Sequence, residues 1–541
     1  MIIFKLTDIS RCKWTSRWNT SYSLTIRWRC VWWRCNGLKL VNLQTYLKPY
    51  RINLFIARNR TQITILQEDK LLEIEMLHPK VDNLCWLHKV APGFPINGSK
   101  ITIIHEPVHF YGTLLKMCKF AKKRITFASL YLGTGKLESE LVQTIEHAIL
   151  SSNGNIKARF LLDYMRGSRG TQNSRKMLEP LLKGKYAHCS EVFLYHTPKL
   201  RGLLKVIMPD RYNEVIGLQH MKLYMIDDTL IISGANLSND YFTNRQDRYF
   251  IIEDAKELCD FYDDLVKRVG EFSFVLQSDG STKLNSTLSS HPCEGPKQEF
   301  SEEAAHRIKT LFQNEIQKRI ELNKQKEASD VDTWIFPLVQ MGQLNILHDS
   351  EVTLKLLQSA SLGARLKLAT GYFNLTSDYI SAVLKQCQAT CDLLTAHPTA
   401  NGFFSAKGIA SSIPAVYTKI EELFYKTCER LGQQERVTLW EFIKPGWTYH
   451  AKGLWYFLPG QQRPCLTLVG SPNFGYRSVN RDLETQIAIV TKNEKLQMAL
   501  QEEQERLFTC AKPVTKRTFS QEDRIPPAWI RTTVVLFRYF F

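Results

Sequence analysis

Two histidines, each followed two positions later by a lysine, are the residues best suited to chemistry. His220 and Lys222 stand in "GLQHMKLYMIDDTLIISGANLSNDYF", His450 and Lys452 in "YHAKGLWYFLPGQQRPCLTLVGSPNFGYRS". Side chains alternate faces along a strand, so each imidazole shares a face with its ammonium. Met221, Leu223 and Met225 turn to the other face. A face of His and Lys suits phosphate: the ammonium holds non-bridging oxygens and the imidazole is left for proton transfer or nucleophilic attack. A single His-x-Lys carries no weight. Two can serve one phosphorus, one imidazole attacking and the other moving the proton, which splits a substitution into two easier steps. Burying either lysine without an anionic partner would cost on the order of several kcal/mol.

The elements that must position these residues occur twice. "RITFASLYLGTGKLESELVQTI" from Arg124 and "RLKLATGYFNLTSDYISAVL" from Arg365 both read as a short apolar strand, a tyrosine, a polar turn and an amphipathic helix. Ala128, Ser129 and Tyr131 match Ala369, Thr370 and Tyr372. Each unit continues into another apolar strand ("ARFLLDY", "CDLLTA"), reaches its His-x-Lys, and returns through a glycine turn to an asparagine, Asn236 or Asn473, with Ser471 on the second return strand. Each closes on Asn-Arg and an acid, "NRQDRYFII" and "NRDLETQIAIV". Repeats in the same order predict two homologous α/β half-domains with mixed sheets and helices packed on them, meeting at a pseudo-twofold seam that holds one active site.

The expected divisions are 1–70, a targeting segment; 71–275, the first half; 276–332, a linker and connecting helix; 333–515, the second half; and 516–541, a tail. The linker is the Ser-, Gly- and Pro-rich "QSDGSTKLNSTLSSHPCEGPKQ", and the helix after it is expected to be a solvated connector. The first 66 residues hold twelve Lys or Arg and one acid, Asp8, as a transit peptide does, although Trp28, Cys30, Trp32, Trp33 and Cys35 fit that pattern poorly. The whole chain of 541 residues has 71 Lys+Arg against 53 Asp+Glu, a net charge of +18 that favours polyanionic partners: nucleic acid, acidic lipid surfaces or phosphorylated substrates. No apolar run is long enough for a transmembrane helix, so membrane contact is expected to be peripheral. The 13 cysteines are scattered without a C-x-x-C pair and predict neither a disulfide framework nor a zinc site.

"HMKLYMID" reads His-x-Lys-x4-Asp, with His220, Lys222 and Asp227, and with "SGAN" it resembles the phospholipase D superfamily. "RGSRG", "TGYFNLT", "LGQQERV" and "HAKGLWYFLPG…CLTLVGSPNFGYRS" narrow the resemblance to its eukaryotic mitochondrial phosphatidylglycerophosphate synthase branch, over roughly residues 75 to 510. That resemblance implies a bilobal phospholipase D-like fold and transfer of a phosphatidyl group from CDP-diacylglycerol to glycerol 3-phosphate through a phosphohistidine, in phosphatidylglycerol and cardiolipin biosynthesis. It implies a mitochondrial location, peripheral at the inner membrane. The second motif departs from the pattern, with Phe457 where the superfamily places aspartate. His220 is therefore expected to be the nucleophile and His450 the acid/base, with Lys222, Lys452, Asn236, Ser471 and Asn473 on the phosphate.

Lysines take the place of a cation in this scheme, so neither metal nor cofactor is expected. The D-G-x2-A-R pattern of metal-dependent CDP-alcohol phosphatidyltransferases does not occur. Arg166 and Arg169 of "RGSRG", and Arg201, are candidates for the acceptor's phosphate. Gly133, Thr134 and Gly135 make a glycine turn opening a helix, a weak nucleotide-binding signal without the full P-loop spacing. The alternative function is a phosphodiesterase of the same superfamily acting on nucleic acid or phospholipid. Against nucleic acid stands the lack of aromatic–basic interleaving along the core, and much of the charge lies in the targeting segment. A scaffold with a decayed site rests only on Phe457.

Overall fold

The computed structural model describes residues 50–57, 60–67, 84–202, 207, 216–285, 287–325 and 331–537. Residues 1–85 and 86–541 form separate compact units. In the first, Tyr50–Ala57 and Arg60–Gln67 pair as an antiparallel hairpin. The rest of the expected targeting segment lies outside the described residues.

The second unit carries two nine-stranded mixed sheets on one plan. In the first, Arg124–Ala128, Lys157–Asp163 and Ser190–Tyr195 run parallel. Leu223–Ile226, Thr229–Ser233, Tyr249–Ile252 and Ile101–Ile104 extend the other side of Arg124–Ala128 in antiparallel steps. In the second, Arg365–Ala369, Thr390–Ala396 and Val437–Phe442 run parallel, and Gly453–Phe457, Leu466–Gly470, Leu483–Thr491 and Thr333–Met341 follow antiparallel. Parallel neighbours need a crossover. Lys136–Ser151 supplies one in the first half, burying Leu141, Val142, Ile145 and Ile149. In the second half it shortens to Ser377–Ser381 and a π-helical turn, Ala382–Gln386.

The predicted alternation around the first motif holds. Met221, Leu223 and Met225 enter a core shared by both halves, with Trp455, Val469 and Ile487 across the seam. Tyr224 enters the opposite core, against Phe127 and Phe110. Three expectations about the boundaries change. Phe94–Ile96, early in the chain, pairs with Thr333–Ile335 of the second sheet. The connecting helix, Lys297–Gln325, is not solvated all round: Phe300, Ala304, Ile308 and Phe312, spaced by four along one face, are buried in the shared core. The tail docks rather than trails. Arg524 makes two hydrogen bonds to the Glu441 carboxylate, and Ile530 and Val534 of Ala528–Phe537 are buried.

Candidate active site

Backbone pairing across the seam builds the site. Arg245–Gln246 runs parallel to Thr448–Tyr449, and Gln219 bridges to Leu483. The His450 amide donates to the Gln246 carbonyl and the His220 amide to the Leu483 carbonyl, both at 2.8 Å. The residue after each of those accepting carbonyls is an acid, so each imidazole meets a carboxylate from the other half. His220 Nδ1 lies 2.9 Å from Glu484 Oε2, and His450 Nδ1 lies 2.7 Å from Asp247 Oδ2.

Burial pushes the His220 imidazole down to about 4, against the pull of Glu484. It is neutral at pH 7, with Nδ1–H donated to the carboxylate and the Nε2 lone pair available. Nε2 has no hydrogen-bond partner among the described residues, and the side chain is 11% exposed. Burial opposes ionisation of Glu484, but His220 and Lys222 hold it down at about 2; Ser478 Oγ donates to its other oxygen at 2.8 Å. His450 lies well below its ordinary value, through burial and then Lys452. Its Nε2 is occupied: the Tyr241 hydroxyl stands 3.2 Å away. Burial pushes Asp247 up to about 6 against the pull of Lys452.

Lys222 and Lys452 are both buried, and each folds its ammonium back onto the carbonyl of its own histidine, at 2.7 and 2.6 Å. Lys452 Nζ is also 2.7 Å from His450 Nδ1 and 3.8 Å from Asp247. Burial lowers Lys222 to about 7 and Lys452 to about 8, with the Glu484 and Asp247 carboxylates opposing. The Oδ1 atoms of Asn236 and Asn473 are buried without a hydrogen-bond partner among the described residues. His220, Asp482 and Glu484 bring three potential metal ligands within 4.8 Å of one another. Their oxygens are already engaged, Asp482 by the Leu218 amide and Arg477, Glu484 by His220 and Ser478.

Four expectations are corrected. Asp227 is not at the site: it lies at the far end of Leu223–Ile226, at φ 54°, and its carboxylate accepts the amides of Lys122, Lys123 and Arg124. Phe457 holds the equivalent position, and Arg365 stacks on its ring at 4.4 Å. The motif aspartate ties the end of its strand to the start of Arg124–Ala128, away from the histidines. Ser471 does not face the phosphate, because its hydroxyl bonds the Thr485 carbonyl and amide and so supports the Glu484 segment. The turn at Gly133, Thr134 and Gly135 cradles no nucleotide. A Cβ at either glycine would overlap the Glu138 carboxylate, which fills the turn and accepts the Asn239 amide at 2.6 Å. Arg201 is tied to the Gly295 carbonyl of the linker. Arg166 stacks on Tyr131 at 4.1 Å, and the Tyr131 hydroxyl meets Ser238 at 3.0 Å, three residues before Tyr241. Arg169 follows in the same turn.

Sequence reasoning missed Glu484, Asp247 and Tyr241. The acids lie in the recurring Asn-Arg segments, but three residues after the asparagine in the first half (Asn244 to Asp247) and four in the second (Asn480 to Glu484). That offset hides their equivalence in any gapless match.

A duplicated mixed-sheet fold with two cross-paired His–carboxylate sets and two buried lysines defines the phospholipase D-like class. The fold is also that of the phosphatidylserine synthase of Haemophilus influenzae Rd KW20, with a TM-score of 0.61 at 18% identity over 83% of this chain and 95% of that one. No protein-family model matches the chain. It is 45% identical over 482 residues to the mitochondrial CDP-diacylglycerol–glycerol-3-phosphate 3-phosphatidyltransferase of Gallus gallus, covering 84% of this chain and 86% of that protein. It is 44% identical over 478 residues to the enzyme of the same name in Homo sapiens (84% and 85%), and 37% identical over 471 residues to the probable one of Dictyostelium discoideum (84% and 80%). The chain belongs to the CDP-diacylglycerol–glycerol-3-phosphate 3-phosphatidyltransferase family.

Proposed function

We propose that the protein transfers the phosphatidyl group of CDP-diacylglycerol to glycerol 3-phosphate, releasing CMP, through a covalent intermediate on His220. The observation that carries this reading is the crossed pair: two neutral imidazoles, each held at Nδ1 by an acid of the other half, beside two buried lysines. The nucleophile is distinguished by its free Nε2, not by the completeness of its motif.

In the first step the His220 Nε2 lone pair attacks the diacylglycerol-bearing phosphorus, and the bond from phosphorus to the CMP oxygen breaks. As the imidazole gains positive charge, Glu484 stabilises it through Nδ1–H. Lys222, Lys452, Asn236 and Asn473 hold the non-bridging oxygens, where charge builds in the transition state. CMP leaves as a weakly basic phosphate and needs little protonation. In the second step the 1-hydroxyl of glycerol 3-phosphate gives its proton to His450 Nε2 and attacks phosphorus. The P–N bond breaks and its electron pair returns to His220. Asp247 stabilises the imidazolium formed on His450.

Among the described residues no helix is long and apolar enough to cross a membrane. Outside the first 66 residues 59 Lys+Arg stand against 52 Asp+Glu, and this smaller excess supports electrostatic docking on an acidic leaflet, at about 1 kcal/mol per well-placed basic residue. The location we propose is the mitochondrion, peripheral at the inner membrane. The test is CMP release from CDP-diacylglycerol in detergent micelles with excess EDTA, with and without glycerol 3-phosphate. Acceptor-dependent, EDTA-resistant release that disappears in His220→Ala is expected. Release independent of the acceptor would make the protein a hydrolase instead.

A further inference from the structure

If the lysines and asparagines serve the phosphorus being transferred, a dianionic acceptor needs a second anion site close to His450. One stands beside it. Arg245, five residues after Asp240 at the seam, has a side chain only 14% exposed, and its guanidinium lies 4.7 Å over the ring of Tyr241. It is held by the Thr448 hydroxyl at 2.9 Å and by Asp240 at 3.0 Å; that carboxylate is 56% exposed, so a phosphate can compete with it. The Tyr241 hydroxyl occupies His450 Nε2, the atom that must accept the acceptor's proton. Tyr372 packs its ring edge against His450 at 5.8 Å and stacks on Tyr417. Its hydroxyl makes no hydrogen bond among the described residues. Opposite it, Gly402 has an ordinary backbone conformation, yet a Cβ there would sit 3.2 Å from the Tyr372 hydroxyl and 3.4 Å from Arg245 Nη2. The bare backbone of Gly402 therefore approaches a guanidinium and a phenol closely, beside the tyrosine that covers the reacting imidazole.

We infer that Arg245 and the Tyr372 hydroxyl, beside the bare backbone of Gly402, form the acceptor subsite, taking the phosphate monoester of a short polyol whose far hydroxyl displaces Tyr241 from His450 Nε2. This rests on the phosphatidyltransferase reading. It assigns the acceptor's phosphate to Arg245 rather than to Arg201, which the linker holds, and makes Tyr241 a placeholder for the attacking hydroxyl. With the hydroxyl of the acceptor at Nε2, its proton passes to His450 as its oxygen bonds to phosphorus. An uncharged polyol would reach the same imidazole but leave Arg245 with Asp240.

The test separates the two half-reactions on the full chain. Exchange of labelled CMP into CDP-diacylglycerol needs only the donor site, whereas product formation needs both. Arg245→Gln is expected to raise KM for glycerol 3-phosphate by at least about tenfold, the loss of one charge-assisted hydrogen bond. CMP exchange should stay within about twofold, and any turnover with glycerol supplied as the acceptor should be equally unaffected. Gly402→Ala, which keeps every charge and crowds only the Tyr372 hydroxyl and Arg245 Nη2, should also raise that KM with exchange retained. An unchanged KM in both variants would overturn the subsite and leave the phosphatidyltransferase reading standing. So would CMP exchange falling as far as product formation. A wild-type protein that exchanges CMP but makes no product from glycerol 3-phosphate would overturn both.

Discussion

Replacing Glu484 by Gln probes the crossed pairing where its effect is largest. Glu484 is fully buried, accepts Nδ1–H of His220 at 2.9 Å, and sits beside Lys222. Its charge stabilises the imidazolium that forms as Nε2 bonds to phosphorus. A hydrogen bond to a charged group contributes about 1.5–3 kcal/mol, or roughly 10- to 150-fold in rate. Glutamine adds a second cost, because an amide N–H turned toward Nδ1 favours the tautomer with the proton on Nε2, the attacking atom. Lys222 also loses the carboxylate that holds its proton, so less of it is charged at neutral pH. Together these predict a fall of about 10²–10⁴ in the first step. The assay is a rapid-quench CMP burst without acceptor. Asp247→Asn is the control: it should slow product formation while retaining more of the burst, because its histidine serves the second step. A Glu484→Gln burst within threefold of wild type would refute the crossed-pair reasoning.

Three further outcomes follow from the same geometry. Asp227→Ala removes the acceptor of three backbone amides and should lower the melting temperature while kcat below the transition changes little; Phe457→Asp should not raise kcat. Arg248 crosses from the first half into the second, bonding Glu503 twice at 2.8 Å and stacking on Trp455 at 3.9 Å. Arg248→Met should destabilise by about 3–5 kcal/mol in denaturant titrations, and adding Glu503→Leu should restore part of that. The pH profile of kcat/KM should fall on the acid side as His220 gains a proton near 4, and on the alkaline side as Lys222 and Lys452 lose theirs near 7 and 8. Stability should move the other way in the alkaline range. The unfolded chain keeps both lysines protonated up to about 10.5, so it binds more protons than the native state between 7 and 10.5, and these groups add stability as pH rises through that window. A stability curve falling there would contradict the burial of both lysines.

The repeat made the seam legible before any coordinates. Matched strand, turn and asparagine segments around His220 and His450 leave little choice but two equivalent half-domains, and the alternation of Met221, Leu223 and Met225 fixes which face reaches the core. The partners of the histidines were not legible. A one-residue difference in the Asn-Arg segments shifts Glu484 relative to Asp247, and only pairing across the seam shows which histidine each acid serves. Asp227 misled for the opposite reason. It lies in the motif, but the strand carries it away from the imidazole to three amides at the other end of the sheet. The connecting helix hid its buried face because Glu, Lys and Gln surround the stripe from Phe300 to Phe312. Phe94–Ile96 joins the distant half through backbone pairing, which three residues of sequence do not signal.

The most direct test of the mechanism is to quench the protein with acyl-labelled CDP-diacylglycerol before acceptor is added, digest it, and locate the label. An acid-labile phosphatidyl adduct on His220 is predicted, discharged by glycerol 3-phosphate and retained longer in His450→Ala. An adduct on His450, or full turnover with label on neither histidine, would contradict it.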